Sequence, residues 1–132
     1  MDIKDQLKEV KGLINEVKSN IELIEILKAT EESCTATLTD MPHGTDRTDK
    51  TKITDRRIML EDELEKYVIK MFDKIEDTKG IINGINDPIH RAICTSYYLN
   101  GKTWREIAAK HKCTERNIQH MHGKVLEELR KQ

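Results

Sequence analysis

The chain has 132 residues, of which 36% are charged and 4% aromatic, with two prolines and six glycines. This composition is typical of long exposed helices and argues against a thick β core. No run of 18 apolar residues occurs, so no membrane-spanning segment is predicted. The charged N-terminus is unlike a secretory signal, and we expect a cytoplasmic protein whose three cysteines are reduced thiols.

The formal net charge of −1 hides an uneven distribution along the chain. Residues 1–86 hold 14 Lys and Arg against 19 Asp and Glu, whereas residues 87–132 hold nine against five, with four of the five histidines. A basic segment attached to an acidic one is typical of a DNA-binding module carried by a scaffold that does not contact DNA. Chance partition is the alternative, because the positive excess is modest.

The first segment, residues 2–30, has apolar residues in a heptad repeat. Positions a and d are occupied by Leu7, Val10, Ile14, Val17, Ile21 and Ile24. This spacing predicts a helix with the apolar seam of a coiled coil. An ordinary amphipathic helix in a small bundle is the alternative.

Residues 30–55 interrupt the helical pattern with Thr, Asp, Ser, Pro and Gly. Hydroxyl and carboxylate side chains compete for backbone hydrogen bonds and favour turns. We therefore predict a flexible, partly disordered loop over about 31–53, which is long for a simple connection.

A second long helix is predicted over about 54–85, with Thr54 or Asp55 as its cap. Its apolar face comprises Leu60, Leu64, Tyr67, Met71, Ile75, Ile82 and Ile85. Two long helices joined by a loop predict an antiparallel, coiled-coil-like hairpin over residues 1–86. Because such a hairpin covers only one side of each helix, we expect a homodimer or higher homo-oligomer formed through these helices.

Residues 87–132 contain three helix-start signals. Asp87 precedes Pro88, which suits an N-cap followed by the first helical position. Thr103 and Glu106 have the spacing of a capping box, and Thr114 can cap a last helix that ends at about Arg130. We predict three helices, the last two joined by a tight turn at Lys112-Cys113, which is the layout of a helix-turn-helix.

The predicted helices of this module have distinct inward and outward faces. The first helix carries the apolar residues Ile89, Ile93, Tyr97 and Leu99, and we expect Ile107, Ala108, Cys113, Ile118, Met121 and Val125 to point inward. The second helix of a helix-turn-helix presents its first turns to base edges in the major groove. The outward residues Glu115, Arg116, Gln119 and His120 are therefore the predicted base contacts, Arg116 to guanine and Gln119 to adenine.

A second set of polar residues is predicted to contact the DNA backbone. It consists of Lys102, Arg105, Lys112, Thr114 and Lys124. Contacts of lysine, arginine and hydroxyl groups with phosphate set affinity and register without sequence information. A solvated charged face on a plain three-helix module is the alternative for both sets.

Two further kinds of site were considered and not predicted. His111, Cys113, His120 and His122 suggest a zinc site, but residues 120 and 122 lie about 200° apart on a helix and cannot bind one ion together. No phosphate loop, nucleophile–base pair or carboxylate dyad has catalytic spacing. We therefore expect neither an enzyme nor a cofactor.

Residues 103–130 are similar, without a gap, to the last helix-turn-helix of primary sigma factors, in their region four. The whole chain more closely resembles phage and prophage regulators of the RinA/ArpU type. The motifs that carry this resemblance are Met41-Pro-His-Gly44, Asp87-Pro88 and Tyr98-Leu-Asn-Gly-Lys-Thr-Trp-Arg-Glu-Ile-Ala108. The resemblance implies a DNA-binding activator of late or packaging genes. Asn117 and Gln119 stand where sigma factors commonly carry arginines.

The sequence thus predicts an all-α transcriptional regulator that binds double-stranded DNA through residues 87–132. One alternative function is that of a small terminase subunit, which a ring of about eight or more copies would favour. The other is an interaction module that contacts RNA polymerase. Salt-insensitive, sequence-blind behaviour with DNA would favour that second alternative.

Overall fold

The computed structural model describes the backbone of residues 2–40 and 45–131, and the side chains of these ranges outside 34–49. In these ranges the chain is helical and contains no strand, which confirms the predicted all-α class. The helices are α1 (Ile3–Asp40), α2 (Thr45–Asn83), α3 (Pro88–Cys94), α4 (Trp104–Lys110) and α5 (Glu115–Arg130). A π-helical turn, Thr95–Leu99, follows α3 directly. No helix in the described part combines the length and the apolar content needed to cross a bilayer.

The predicted loop over 31–53 is wrong for residues 31–40 and 45–53, which are helical. Met41–Gly44 lie outside the described residues. Thr and Asp lower helix stability by less than about 0.7 kcal/mol each, a preference weak enough for tertiary contacts to override. One such contact is a hydrogen bond that the Thr54 hydroxyl donates to the carboxylate of Glu31. Because α2 begins at Thr45, Thr54 and Asp55 are interior residues of this helix and do not cap it.

The described residues form two compact units. Unit 1 comprises Met1–Asn15 with Lys70–Gln132, and unit 2 comprises Glu16–Ile69. Unit 1 crosses the boundary predicted at residue 86, because both the start of α1 and the end of α2 pack with α3 and α5. Its larger core contains Leu7, Val10, Ile14, Ile82, Ile85, Cys94, Tyr98, Val125, Leu126 and Leu129.

The predicted heptad of α1 describes its buried face at most positions. Leu7, Val10, Ile14, Val17 and Ile24 are all buried. Ile21, in unit 2, is 41% exposed. The described residues of unit 2 belong to α1 and α2, and one neighbouring helix covers only part of an apolar face.

The π-helical turn carries two adjacent tyrosines that are buried to different degrees. The Asn100 backbone N–H donates to the Thr95 carbonyl at 3.0 Å, an i→i+5 bond that rotates the following residues relative to an α-helix. Tyr98 lies four residues after the buried Cys94 and is itself buried, whereas Tyr97 is half-buried. Ile89 lies in the first turn of α3 and is 53% exposed, whereas Ile93, one turn later, is buried.

Candidate nucleic-acid interface

The start of α4 is fixed by a complete capping box. The Glu106 backbone N–H donates to Thr103 Oγ1 at 3.2 Å, and the Thr103 backbone N–H donates to Glu106 Oε1 at 3.4 Å. Two backbone donors that have no partner inside the helix are thereby satisfied. This confirms the capping box predicted from the sequence.

A tight turn joins α4 to α5. Lys112 has a φ of 55°, in the left-handed region, and the Cys113 N–H donates to the Ala108 carbonyl at 3.0 Å. A non-glycine residue in this conformation is held there by the structure around it at a cost of about 1–2 kcal/mol. The predicted turn at Lys112-Cys113 is confirmed.

The start of α5 is fixed by Thr114, as predicted. Its Oγ1 accepts a hydrogen bond from the Asn117 backbone N–H at 3.1 Å. The cap therefore defines which residues form the first turn of α5, beginning at Glu115. It also leaves the hydroxyl proton of Thr114 available to an external acceptor.

A second core cluster holds α3, α4 and α5 together. Ile93, Ile107, Ala108 and Ile118 are its buried members. Tyr97, Trp104, Cys113 and Met121 pack against it and are half-buried. Ile118 faces this cluster, so the opposite side of α5 must face solvent.

The four predicted base-contacting residues, Glu115, Arg116, Gln119 and His120, are all exposed on α5. Three of them, Arg116, Gln119 and His120, line one depression of about 520 Å³ together with Thr114 and Asn117. Asn117 was not among the predicted contacts. Its position three residues after the cap and next to Arg116 is the signal that would have identified it. Glu115 does not line the depression.

All five predicted backbone-contacting residues are exposed. Lys102 lies beside Glu106, with 3.7 Å between Nζ and Oε2. Arg105 is on α4, Lys112 is in the turn, and Lys124 lies about one and a half turns beyond Gln119 on α5. Such exposed ammonium and guanidinium groups can pair with phosphate without desolvation of a buried charge.

An aromatic cluster that packs on the buried side of α5 was not predicted from the sequence. The rings of Tyr97 and Trp104 stack with centroids 3.8 Å apart, and Tyr98 OH is hydrogen-bonded to His122 Nε2. Lys11 of α1 lies over the Tyr97 ring at 3.2 Å. The adjacent tyrosines and the single tryptophan were the available signal. Its detection required knowledge of how Tyr97 and Tyr98 pack against Trp104 and His122, which lie further along the chain.

Burial, together with the positive charges of Lys4 and Lys11, lowers the pKa of His122 to about 4. At neutral pH the imidazole is therefore uncharged, and the tautomer with its proton on Nδ1 accepts the hydrogen bond from Tyr98 OH at Nε2. His122 is thus part of the packing of unit 1, whereas His120 faces the solvent. Among the described residues, no three His, Cys, Asp or Glu side chains are grouped so that they could hold a metal ion.

The first turns of α1 pack against the buried side of α5. Leu7 and Val10 share the larger core with Val125, Leu126 and Leu129 of α5. At the surface, Asp2 pairs with Arg130, with 3.0 Å between Oδ2 and Nη2. The helix that carries the exposed polar depression is therefore packed against both α1 and α4.

Comparisons of the chain with protein-family models, with curated proteins and with solved structures found no match.

Proposed function

We propose that the chain is a DNA-binding transcriptional regulator of phage or prophage type, whose α4–turn–α5 segment is a helix-turn-helix that places α5 in the major groove. The observation that carries this proposal is the exposed set Arg116, Asn117, Gln119 and His120 on a capped helix whose other side is packed. Arginine, asparagine and glutamine are the side chains that form bidentate contacts with guanine and adenine. Their clustering at the first turns of α5 matches the way in which recognition helices meet base edges.

The charge distribution supports the same proposal. The nine Lys and Arg of residues 87–132, against five Asp and Glu, favour a polyanion at this end of the chain. Lys102, Arg105, Lys112, Thr114 and Lys124 are the proposed phosphate contacts. The resemblance of Tyr98–Ala108 to phage and prophage regulators supports a role in activating late or packaging genes.

We further propose that the long helices α1 and α2 form a hairpin through which two copies assemble. Operators with two half-sites are read by dimers whose recognition helices are one or more helical turns of DNA apart. A second copy would also cover apolar side chains that unit 2 leaves exposed, such as Ile21, Leu23 and Met59.

The test is selection of bound duplexes from a random-sequence pool, followed by affinity measurements on the selected duplex. Arg116→Ala is expected to weaken binding by about 1–3 kcal/mol and to relax the preference at one base pair. Lys79→Ala, an exposed cation on α2, is the control and should leave the affinity unchanged. No enrichment of any sequence, or an Arg116→Ala affinity equal to wild type, would contradict the proposal.

The same experiments separate the two alternative functions. Binding to DNA that is sequence-blind and insensitive to salt would favour a module that contacts RNA polymerase. Selective binding by a ring of many copies would favour a small terminase subunit.

A further inference from the structure

Unit 2 has two grooves of different chemistry between α1 and α2. One is lined by the charged residues Lys28, Glu31, Glu32, Lys50 and Arg57. Within it, the Arg57 guanidinium is 2.7 Å from Glu31, and Arg57 also pairs with Glu61 at 3.0 Å. Lys28, Glu31 and Arg57 of this groove are thus paired with charges in the same chain.

The other groove, called here the apolar groove, has a volume of about 800 Å³. Its floor and walls include Leu23, Leu27, Ile53, Met59 and Leu60. Met59 is 64% exposed and Leu23 is 41% exposed. Adjacent exposed apolar side chains of this size favour an interaction surface, because their burial stabilises an assembly by about 25 cal/mol for each Å².

The charges at the rim of the apolar groove indicate the kind of occupant. Two are positive, Lys52 and Arg56, and two are negative, Asp55 and Glu63. Unit 2 as a whole has 13 Asp and Glu against eight Lys and Arg, which disfavours a nucleic acid on this surface. A groove with two positive and two negative charges at its rim is complementary in charge to a second copy of the same groove. A second copy of the chain is therefore the occupant that these charges favour.

The order of residues along α2 gives the register of that contact. Arg56, Met59, Leu60 and Glu63 follow the i, i+3, i+4, i+7 spacing, so they lie on one stripe of the helix. In the described residues, neither Arg56 nor Glu63 takes part in an ion pair within the chain. If two α2 helices cross antiparallel about a two-fold axis between Met59 and Leu60, Arg56 of each copy faces Glu63 of the other. The apolar pair then meets its counterpart at the centre.

We propose that the apolar groove of unit 2 is a two-fold interface between copies of this chain, with Met59 and Leu60 at its centre and reciprocal Arg56–Glu63 pairs at its rim. This deepens the proposed function, on which it rests for the involvement of a second copy. The contact itself needs no DNA, so its failure and that of DNA binding are separable.

The test is the oligomeric state of the DNA-free full chain, measured by sedimentation equilibrium. The wild type is expected to be a dimer. Arg56→Glu and Glu63→Arg are each expected to raise the dimer dissociation constant roughly tenfold, because each puts like charges opposite one another. The double variant Arg56→Glu with Glu63→Arg reverses both partners and should restore the wild-type constant.

Two further variants complete the test. Glu65→Arg makes the same charge change on α2, about 200° around the helix from Glu63, and should leave the dimer intact. Met59→Glu should give a monomer that keeps the helical circular dichroism of the wild type. Since all of these side chains except Leu60 are exposed, the variants are expected to fold.

A monomeric wild type, a ring of many copies, or a double variant that stays dissociated would overturn the interface. Dissociation by Glu65→Arg but not by Glu63→Arg would also overturn it, by placing the contact on the opposite flank of α2. If the interface fails while the selected duplex is still bound, the DNA-binding proposal stands alone. If the dimer forms as described and no duplex is bound, only the DNA-binding proposal fails.

Discussion

Gly123 is an exposed glycine inside α5, where a side chain would meet no atom of the chain within 4 Å. Glycine in a helix interior costs roughly 0.5–1 kcal/mol relative to alanine, and packing within the chain does not require it here. The residue lies seven positions after Arg116 and therefore on the same side of α5. A backbone phosphate that approaches α5 closely would explain why no side chain is present.

Gly123→Ala is therefore expected to stabilise the fold by about 0.5–1 kcal/mol and to weaken binding to the selected duplex. Denaturation and affinity measurements on the same variant test the two effects. Gly80→Ala is the matched control, since Gly80 is also an exposed helical glycine with open space around it. It should stabilise the fold without changing affinity, and weaker binding by Gly80→Ala alone would contradict this account of Gly123.

The lowered pKa of His122 predicts a pH dependence of stability. The folded-state pKa of about 4 lies below the ordinary value of 6.5, so between these values the unfolded chain binds a proton that the folded chain does not. The free energy of unfolding should fall as the pH is lowered from 6.5 to 4, by on the order of 1–3 kcal/mol for this half-buried group. Urea denaturation followed by the fluorescence of Trp104, which packs against His122, measures it.

His122→Gln is the comparison for that experiment. The amide can still accept a hydrogen bond from Tyr98 but does not titrate. Its unfolding free energy should lack the His122 contribution, whereas carboxylates such as Asp2, whose pKa is lowered by Arg130, contribute equally in both proteins. Identical slopes of stability against pH in wild type and variant would refute the role given to His122.

At the level of secondary-structure elements, α5 depends on the first turns of α1. Leu7 is fully buried in the core that also contains Val125, Leu126 and Leu129. The compact unit that carries the candidate interface therefore includes residues from the start of the chain. A segment of residues 87–132 alone would expose the apolar side of α5 that α1 covers.

Leu7→Ala should consequently destabilise unit 1 by about 2–5 kcal/mol, the usual cost of such a truncation in a core. Ile26→Ala, a truncation on the same helix at a side chain that is 61% exposed, should cost far less. Chemical denaturation of the two variants gives the comparison. Equal losses would mean that α1 does not pack against α5 as described.

The elements that the sequence predicted well are those with local causes. Asp87, Thr103 and Thr114 cap their helices through bonds to backbone groups two or three residues away, so their patterns are visible in a short stretch. The continuation of α1 and α2 through residues 31–40 and 45–53 was missed, because contacts such as that of Glu31 with Thr54 and Arg57 join distant parts of the chain. The exposed polar residues of α5 followed from periodicity, whereas the aromatic cluster depends on contacts between distant residues, such as Tyr98 with His122.

At the scale of the whole molecule, charge and apolar surface are divided between different parts of the chain. The basic residues of 87–132 accompany the candidate DNA-binding face, whereas the acidic unit 2 carries the apolar groove. An acidic surface is repelled by phosphate, so this division favours DNA at α5 and another protein surface at α2. The DNA-binding proposal and the interface proposal therefore depend on different residues.

The central claim, that the exposed face of α5 and its flanking cations bind duplex DNA, is tested most directly by salt titration of the affinity for the selected duplex. The logarithm of the binding constant should fall linearly with the logarithm of salt concentration. Lys124→Ala should reduce the slope by about one, while Lys79→Ala keeps the wild-type slope. Absence of binding at low salt, or a slope near zero that Lys124→Ala leaves unchanged, would contradict the claim.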